Sequence, residues 1–237
     1  MFKKYTNLVV IASYNDFSRV DRLVGPSGSL RDVGTPTDFL LVDNGSNQFY
    51  KNNLSKLEND IMYLSRENIG RETGAFDAAE RAFPNYERYM FLQDDTIVLE
   101  KDWLLKFEEA FDATPNCGAV GFDVYTGNHL QWTSFKGLTV ADILRNMFGD
   151  NYVYDKFCGG AMLYTSRAIL DHLRDYGGIP HATKNDDEGI SECFGNERLF
   201  SSVIQNMGYE IAECPNVLAN GWVGRQYHSR EGVKWPT

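Results

Sequence analysis

The sequence predicts an α/β protein organised around an open sheet, and three observations carry that expectation. Short apolar runs rich in β-branched residues recur through the first half of the chain. Most of them end in Asp, Asn or Ser, and segments with helical periodicity lie between them. Strand, polar end, helix, repeated, is the rhythm of a sheet whose crossovers are helical.

Leu8-Val9-Val10-Ile11-Ala12 is the first run, closed by Ser13-Tyr14-Asn15-Asp16. It is apolar at successive positions, as expected of a parallel strand covered on both faces. Phe39 to Val42 repeats the pattern and ends in Asp43-Asn44-Gly45-Ser46, a turn sequence. Ile61 to Leu64 is a weaker third strand, and Tyr89 to Leu92 a fourth that runs into Gln93-Asp94-Asp95. Helices are expected over Glu72 to Phe83 and Trp103 to Phe111. Farther on, Gly118 to Phe122 reads as a short strand and Glu197 to Met207 as a helix capped by Gly208. Tyr209 to Ala212 follows as another strand. No linker is visible, so 1–237 reads as a single domain, with 1–100 forming one half and 101–237 the other.

Composition narrows the function classes. The chain has 237 residues, enough for a substantial core, and no repeat or low-complexity tract. Its formal charge of -10 argues against a nucleic-acid surface, which needs clustered Lys and Arg. One diphosphate is a different matter, since a divalent cation and a few basic groups neutralise it locally. Cys117, Cys158, Cys193 and Cys214 are scattered, with no CxxC pair, which points to buried thiols in a reducing compartment. The apolar run Leu8 to Ala12 is too short for a signal sequence or a transmembrane segment. A cytoplasmic protein is expected.

In open α/β sheets, ligands bind outside the carboxyl ends of the strands. Three of the four strands end in polar pairs, Asn15-Asp16, Asp43-Asn44 and Asp94-Asp95. Any one of them alone could be a turn or a helix cap. Together they imply a site along one sheet edge.

These residues resemble the GT-A glycosyltransferases, particularly the large family 2 type. Val9 to Asn15 is similar to that family's first strand and nucleotide loop, and Leu40 to Ser46 to its second. Asn68-Ile69-Gly70-Arg71-Glu72-Thr73-Gly74 resembles its Asn-x-Gly helix entry, in the Gly-Arg form also seen in rhamnosyltransferase-like members. Phe91-Leu92-Gln93-Asp94-Asp95 stands in the place of the DXD motif, and Gly195-Asn196-Glu197-Arg198 in that of the acidic helix start carrying the catalytic base. The resemblance spans about residues 7–212. It departs from the family at Gln93, where the first Asp of DXD is usual, and at Asn196-Glu197, where a Glu-Asp pair is usual.

The resemblance implies a GT-A type, Rossmann-like open mixed sheet flanked by helices. It also implies transfer of a sugar from a nucleotide-sugar donor, UDP- or dTDP-linked, to a glycan or other hydroxyl acceptor in carbohydrate biosynthesis. Ser13, Tyr14, Asn15, Asp43, Arg71, Gln93 and Asp94 are the expected donor-binding residues. Asp43 would accept from a uracil N–H, and Arg71 with the backbone of its helix start would meet base or diphosphate. Asp95, with His228 near the C-terminus, would hold Mn2+ or Mg2+, hard cations suited to oxygen ligands. Arg225 or Arg230 beside His228 would hold phosphate. Glu197, at a helix N-terminus, is the expected base for inverting transfer, with Asp187 as fallback in the acidic run 185–188. Trp132 and Trp222 are candidate acceptor platforms, and Gly159-Gly160 either approaches the donor sugar or forms a β-bulge. A nucleotidyltransferase or methyltransferase would need a Gly-rich loop after the first strand, which Ser13-Tyr14-Asn15-Asp16 is not. Gln93 and Asn196 leave a second reading, a catalytically weak domain that binds nucleotide sugar or carbohydrate.

Overall fold

A computed structural model describes residues 6–57, 60–126, 134–135, 138–181 and 187–220, with the backbone alone at 55, 134–135, 187–194 and 220. In chain order the strands and helices are β1 (Asn7–Ser13), α1 (Phe17–Val24), β2 (Thr37–Asn44), α2 (Gln48–Asn53), β3 (Ile61–Arg66) and α3 (Arg71–Ala82). There follow β4 (Arg88–Gln93), β5 (Thr96–Val98), α4 (Trp103–Ala113), β6 (Cys117–Gly121), β7 (Val124–Thr126), β8 (Ser134–Phe135), β9 (Leu138–Thr139) and α5 (Val140–Phe148). The rest are β10 (Lys156–Cys158), β11 (Tyr164–Ser166), α6 (Arg167–Arg174), α7 (Asp187–Asn206), β12 (Glu210–Glu213) and β13 (Leu218–Asn220).

Seven strands form the main sheet in the order β12-β6-β11-β4-β1-β2-β3. β1 pairs in parallel with both β2 and β4, and β2 in parallel with β3. β11 runs antiparallel to β4 and β6, which makes the sheet mixed. The chain steps outward from β1 to β2 and β3, then returns to place β4 on the other side of β1. The order therefore reverses between β1 and β4, and a crevice opens there at the carboxyl edge.

The continuous apolar runs have a physical cause in this layering. Leu8, Val10, Ala12, Leu40, Val42 and Phe91 point to one face and pack with Phe76 of α3, Leu144 of α5, Leu170 of α6 and Phe200 of α7. The alternate residues Val9, Ile11, Leu41, Met90 and Leu92 point to the other face, against Val20 and Leu23 of α1 and Trp103 and Phe107 of α4. With both faces covered, every position of a central strand must be apolar. Trp103 is fully buried, its indole N–H donating to the Leu30 carbonyl at 3.0 Å.

The helices depart from expectation at α7 and in four additions, α1, α2, α5 and α6. The segment expected to begin a helix near Glu197 belongs to α7, which starts ten residues earlier at Asp187. Glu197 therefore lies mid-helix, and Asp187 and Glu188 open the helix instead of standing in a loop. α1 and α2 are additions, their starts fixed by Asp16 and Asn47, whose side chains accept the backbone N–H of Arg19 and Tyr50. Gly159–Ala161 forms a 3-10 turn, not a β-bulge. Cys117, Cys158 and Cys214 are buried free thiols, as expected.

Candidate functional site

The register of the parallel strands brings the polar ends together. Ser13 lies opposite Asp43, and Ala12 opposite Gln93, so the ends of β1, β2 and β4 share one level. A cleft of about 480 Å3 opens there, lined by Ala12, Ser13, Tyr14, Arg19, Asn44, Asn68, Arg71, Glu72, Gln93 and Asp94. Five expected donor-binding residues, Ser13, Tyr14, Arg71, Gln93 and Asp94, are therefore neighbours.

Asp94 is the buried anion of the cleft. It accepts from the Ser13 hydroxyl at 2.8 Å and the Tyr14 N–H at 3.3 Å, and Nη1 of Arg19 lies 3.5 Å from its other oxygen. Burial pushes its carboxyl above the usual carboxylate range, helped by the charge of Asp95 and opposed by Ser13, Arg19 and the Tyr14 N–H. Asp95 is half-buried beside it and leads into β5, so this acidic pair does not cap α4. The residue before α4 is Asp102, whose side chain makes no capping bond.

Asp43 is not among the residues that line the cleft. It is fully buried, and its carboxylate accepts from the Ser46 N–H at 2.8 Å, the Tyr63 hydroxyl at 2.8 Å and the Ser65 hydroxyl at 3.2 Å. The Ser46 hydroxyl also contributes. Burial raises the Asp43 carboxyl, but these bonds outweigh it and hold the group below its ordinary value; burial pushes the Tyr63 phenol up to about 12. These bonds tie β2, β3 and the following turn together. Asn15 also binds the loop: its Oδ1 accepts the Asn47 N–H at 2.7 Å, and its own N–H reaches the Ser46 hydroxyl at 2.9 Å.

Non-glycine residues with left-handed backbone surround the cleft: Asn15 at φ 59°, Arg71 at 50° and Ala161 at 54°. Such conformations cost of order 1–3 kcal/mol each and persist where surrounding structure fixes them. Arg71 follows Gly70 at φ 78°, and Asn44 holds the Arg71 carbonyl through a 2.6 Å bond from its amide. Arg66 donates in turn to Asn44 Oδ1 at 2.6 Å and to the Ile69 carbonyl at 2.7 Å. A Cβ on Gly74 would stand 2.2 Å from the Ile69 carbonyl oxygen, so only glycine lets α3 start this close to its entry loop.

Gln93 stands where the departure from DXD was noted. Its amide donates to the Gly160 carbonyl at 3.0 Å, fastening the 3-10 turn to the end of β4. The Gly160 N–H is directed at the carboxyl of Glu197. Burial, reinforced by the negative charge of Glu72, pushes Glu197 up to about 8, with Arg198 and the Gly160 N–H pulling the other way. Glu197 is not part of the cleft lining, but Glu72, which is, lies near enough for its charge to act on it. Only the backbone of Asp187 is described, and His228, Arg225, Arg230, Trp132 and Trp222 lie outside the described residues.

Sequence reasoning missed Arg19 and named Asn44, Asn68 and Glu72 only as parts of motifs; all four line the cleft with the expected residues. Arg19 had a signal: Asp16 three residues earlier both caps α1 and holds the Arg19 guanidinium at 2.9 Å. Among the described residues, no group of three or more His, Cys, Asp or Glu side chains is placed to hold a metal ion, and no helix is long and apolar enough to cross a membrane. Asp94 and Asp95 are adjacent carboxylates at the end of β4. Such a pair fits a hard ion that completes its shell with phosphate oxygens and water.

No protein-family model matches the chain, and no curated protein sequence does. Solved structures do. A mannosyltransferase from Pyrobaculum calidifontis, in complex with GDP-Man and Mn2+, is 15% identical with a TM-score of 0.56 over 90% of this chain and 55% of its own. TarS from S. aureus is 15% identical, with a TM-score of 0.52 over 89% of this chain and 35% of its own. The glucosyl-3-phosphoglycerate synthase of Mycobacterium tuberculosis, with Mg2+ and uridine diphosphate, is 16% identical with a TM-score of 0.55 over 91% and 71%. The chain thus spans about half of the mannosyltransferase and about a third of TarS. It has the GT-A fold of these glycosyltransferases.

Proposed function

We propose that the cleft between β1 and β4 binds a nucleoside-diphosphate sugar and that the chain transfers the sugar to a hydroxyl acceptor with inversion. The observation that supports this most is the convergence of Ser13, Tyr14, Arg19, Arg71 and Asp94 on one cleft at the sheet's reversal point, in a fold shared with glycosyltransferases. A catalytically silent binding domain is the second reading, and turnover decides between the two.

In this reading Tyr14, 52% exposed on the cleft rim, offers a ring face to the base. Asn68 and Asn44 supply polar edges, and Asp43 and Asn15 fix the loop beside them. Arg71 at the start of α3 faces the diphosphate, and Arg19 can turn from Asp94 to a phosphate oxygen. Asp95 and Asp94 would hold Mn2+ or Mg2+, and His228 is a further candidate ligand. The cation supplies charge stabilisation for the departing diphosphate.

Glu197 is assigned as general base. The acceptor hydroxyl gives its proton to the Glu197 carboxylate as its oxygen bonds to the anomeric carbon. The bond from that carbon to the phosphate oxygen breaks, and the nucleoside diphosphate leaves with the electron pair. Asp187 stays the fallback base. UDP- and dTDP-sugars are the first donors to test, in the presence of Mn2+ and a panel of hydroxyl acceptors. Released nucleoside diphosphate with a product of inverted anomeric configuration is expected. Retention would remove Glu197 from the base role, and binding without turnover across the panel would leave only the binding domain.

A further inference from the structure

Arg19, the cleft residue that sequence reasoning did not name, reaches two carboxylates at once. α1 begins at Phe17 with Asp16 as its cap, and its first turn delivers Arg19 to the cleft beside Asp94. The Arg19 Nε lies 2.9 Å from Asp16 Oδ2, and its Nη1 lies 3.5 Å from Asp94 Oδ1. The two oxygens of Asp94 are thus divided between elements. Oδ2 is fixed by the end of β1, accepting the Ser13 hydroxyl at 2.8 Å and the Tyr14 N–H at 3.3 Å. Oδ1 faces the guanidinium from α1. The two contacts of Arg19 are unequal: the one to Asp16 has ordinary length, whereas 3.5 Å is at the outer limit of a hydrogen bond. The Arg19 side chain is 37% exposed and that of Asp94 11%, so the guanidinium is the partner with room to move.

We propose that Arg19 couples cation binding to diphosphate binding: it covers Oδ1 of Asp94 and yields that oxygen when a phosphate group replaces Asp94 as its partner. The inference deepens the glycosyltransferase reading and rests on it. With Arg19 in this position, Asp94 is a poor ligand for a divalent ion, because the guanidinium offsets its charge and repels a second positive charge beside it. A diphosphate changes that balance. Its oxygens offer the guanidinium paired, charge-assisted bonds, which are stronger than a single contact at 3.5 Å. Asp16 anchors Nε, so turning the outer end of the guanidinium suffices and α1 stays in place. Ser13 and Tyr14 keep hold of Oδ2 meanwhile, so the Asp94 carboxylate does not follow Arg19 and its Oδ1 is left facing the cleft. The coupling is reciprocal: each ligand binds more tightly in the presence of the other.

The test compares the intact chain with its Arg19→Gln and Arg19→Lys variants, reading Mn2+ binding from the paramagnetic resonance signal of the free ion and UDP binding by calorimetry. Arg19→Gln should bind Mn2+ without nucleotide about tenfold more tightly than the intact chain, and UDP with Mn2+ about tenfold more weakly. Arg19→Lys keeps the charge and should bring both affinities back towards those of the intact chain. The opposite signs are the signature, since general damage to the cleft would weaken both ligands. Unchanged or weaker Mn2+ binding in a folded Arg19→Gln protein overturns the inference, even if UDP binding falls, because Arg19 would then be a phosphate contact and nothing more. Absence of UDP binding by the intact chain would count against the glycosyltransferase reading, and the nucleotide-free Mn2+ titration would still decide by itself whether Arg19 covers Asp94.

Discussion

Replacing Glu197 by Gln should stabilise the protein by an amount that grows with pH. The side chain keeps its shape and loses its ability to ionise. In the fold, burial and Glu72 push this carboxyl up to about 8, against an ordinary glutamate value of 4.5. A folded value above the unfolded one means that the group's contribution is fully present below 4.5 and is lost as pH rises through 8. Between those limits the wild type should lose about 1.4 kcal/mol of stability per pH unit relative to Glu197→Gln. The gap should level off above pH 8 at no more than about 5 kcal/mol, since water at the half-buried side chain relaxes part of the penalty. Urea unfolding of both proteins at pH 5, 7 and 9 measures it directly. Two curves that stay a constant distance apart from pH 5 to 9 would show that Glu197 ionises as an ordinary glutamate, and the reasoning from its burial would be refuted. The same variant should retain donor binding and lose transfer.

Three further predictions follow from the cleft. Asp95→Asn should abolish metal-dependent transfer while leaving the melting temperature within about 2 °C, because the half-buried carboxylate is assigned to the cation and not to the core; full metal-dependent transfer by this variant would remove the assignment. Arg71→Ala should weaken nucleoside-diphosphate binding about tenfold or more, the loss of one charge-assisted hydrogen bond, read by calorimetry against nucleoside binding that changes far less. Gly74→Ala should destabilise the fold by about 1–3 kcal/mol, since its Cβ would collide with the Ile69 carbonyl and push α3 away from its entry loop; thermal unfolding checks it, and an unchanged midpoint would show that the helix start can shift freely.

The parts of the fold legible in the sequence were those fixed by burial on both sheet faces. β1, β2 and β4 declare themselves because Leu8 to Ala12, Phe39 to Val42 and Tyr89 to Leu92 have no solvent-facing side and so no polar interruption. α2 was not legible because Gln48–Asn53 is nearly all polar apart from Phe49 and Tyr50, of which only Tyr50 is buried. The first half of α7 is less legible: Ile190, Cys193 and Phe194 have helical spacing, but Gly189 and the acidic run 185–188 precede them, and the expected helix covers only Glu197 to Met207, where Leu199, Val203 and Ile204 meet the core. The cleft was legible to the extent that strand ends are local features, which served for Ser13, Tyr14, Gln93 and Asp94.

The remaining site residues are set by contacts distant in sequence. Asp43 ends β2 as expected, but the bonds its carboxylate accepts from Tyr63 and Ser65 on the neighbouring strand are announced by nothing near it in the chain. Glu197 was found for its place in a motif, whereas its basicity comes from the packing of α7 on α3, with Glu72 more than a hundred residues away. Arg19 needed α1 to be recognised before its side chain could be placed against Asp94.

The central claim is that this cleft holds a nucleoside diphosphate together with a divalent cation. Calorimetric titration of the whole chain with UDP, with and without Mn2+, tests it most directly, with Asp95→Asn as the paired variant and dTDP and GDP as alternative ligands. The account predicts one-site binding of at least one of these diphosphates that requires the metal, disappears with a chelator and is lost in Asp95→Asn. Absence of binding by all three, or binding indifferent to both metal and Asp95, would contradict it.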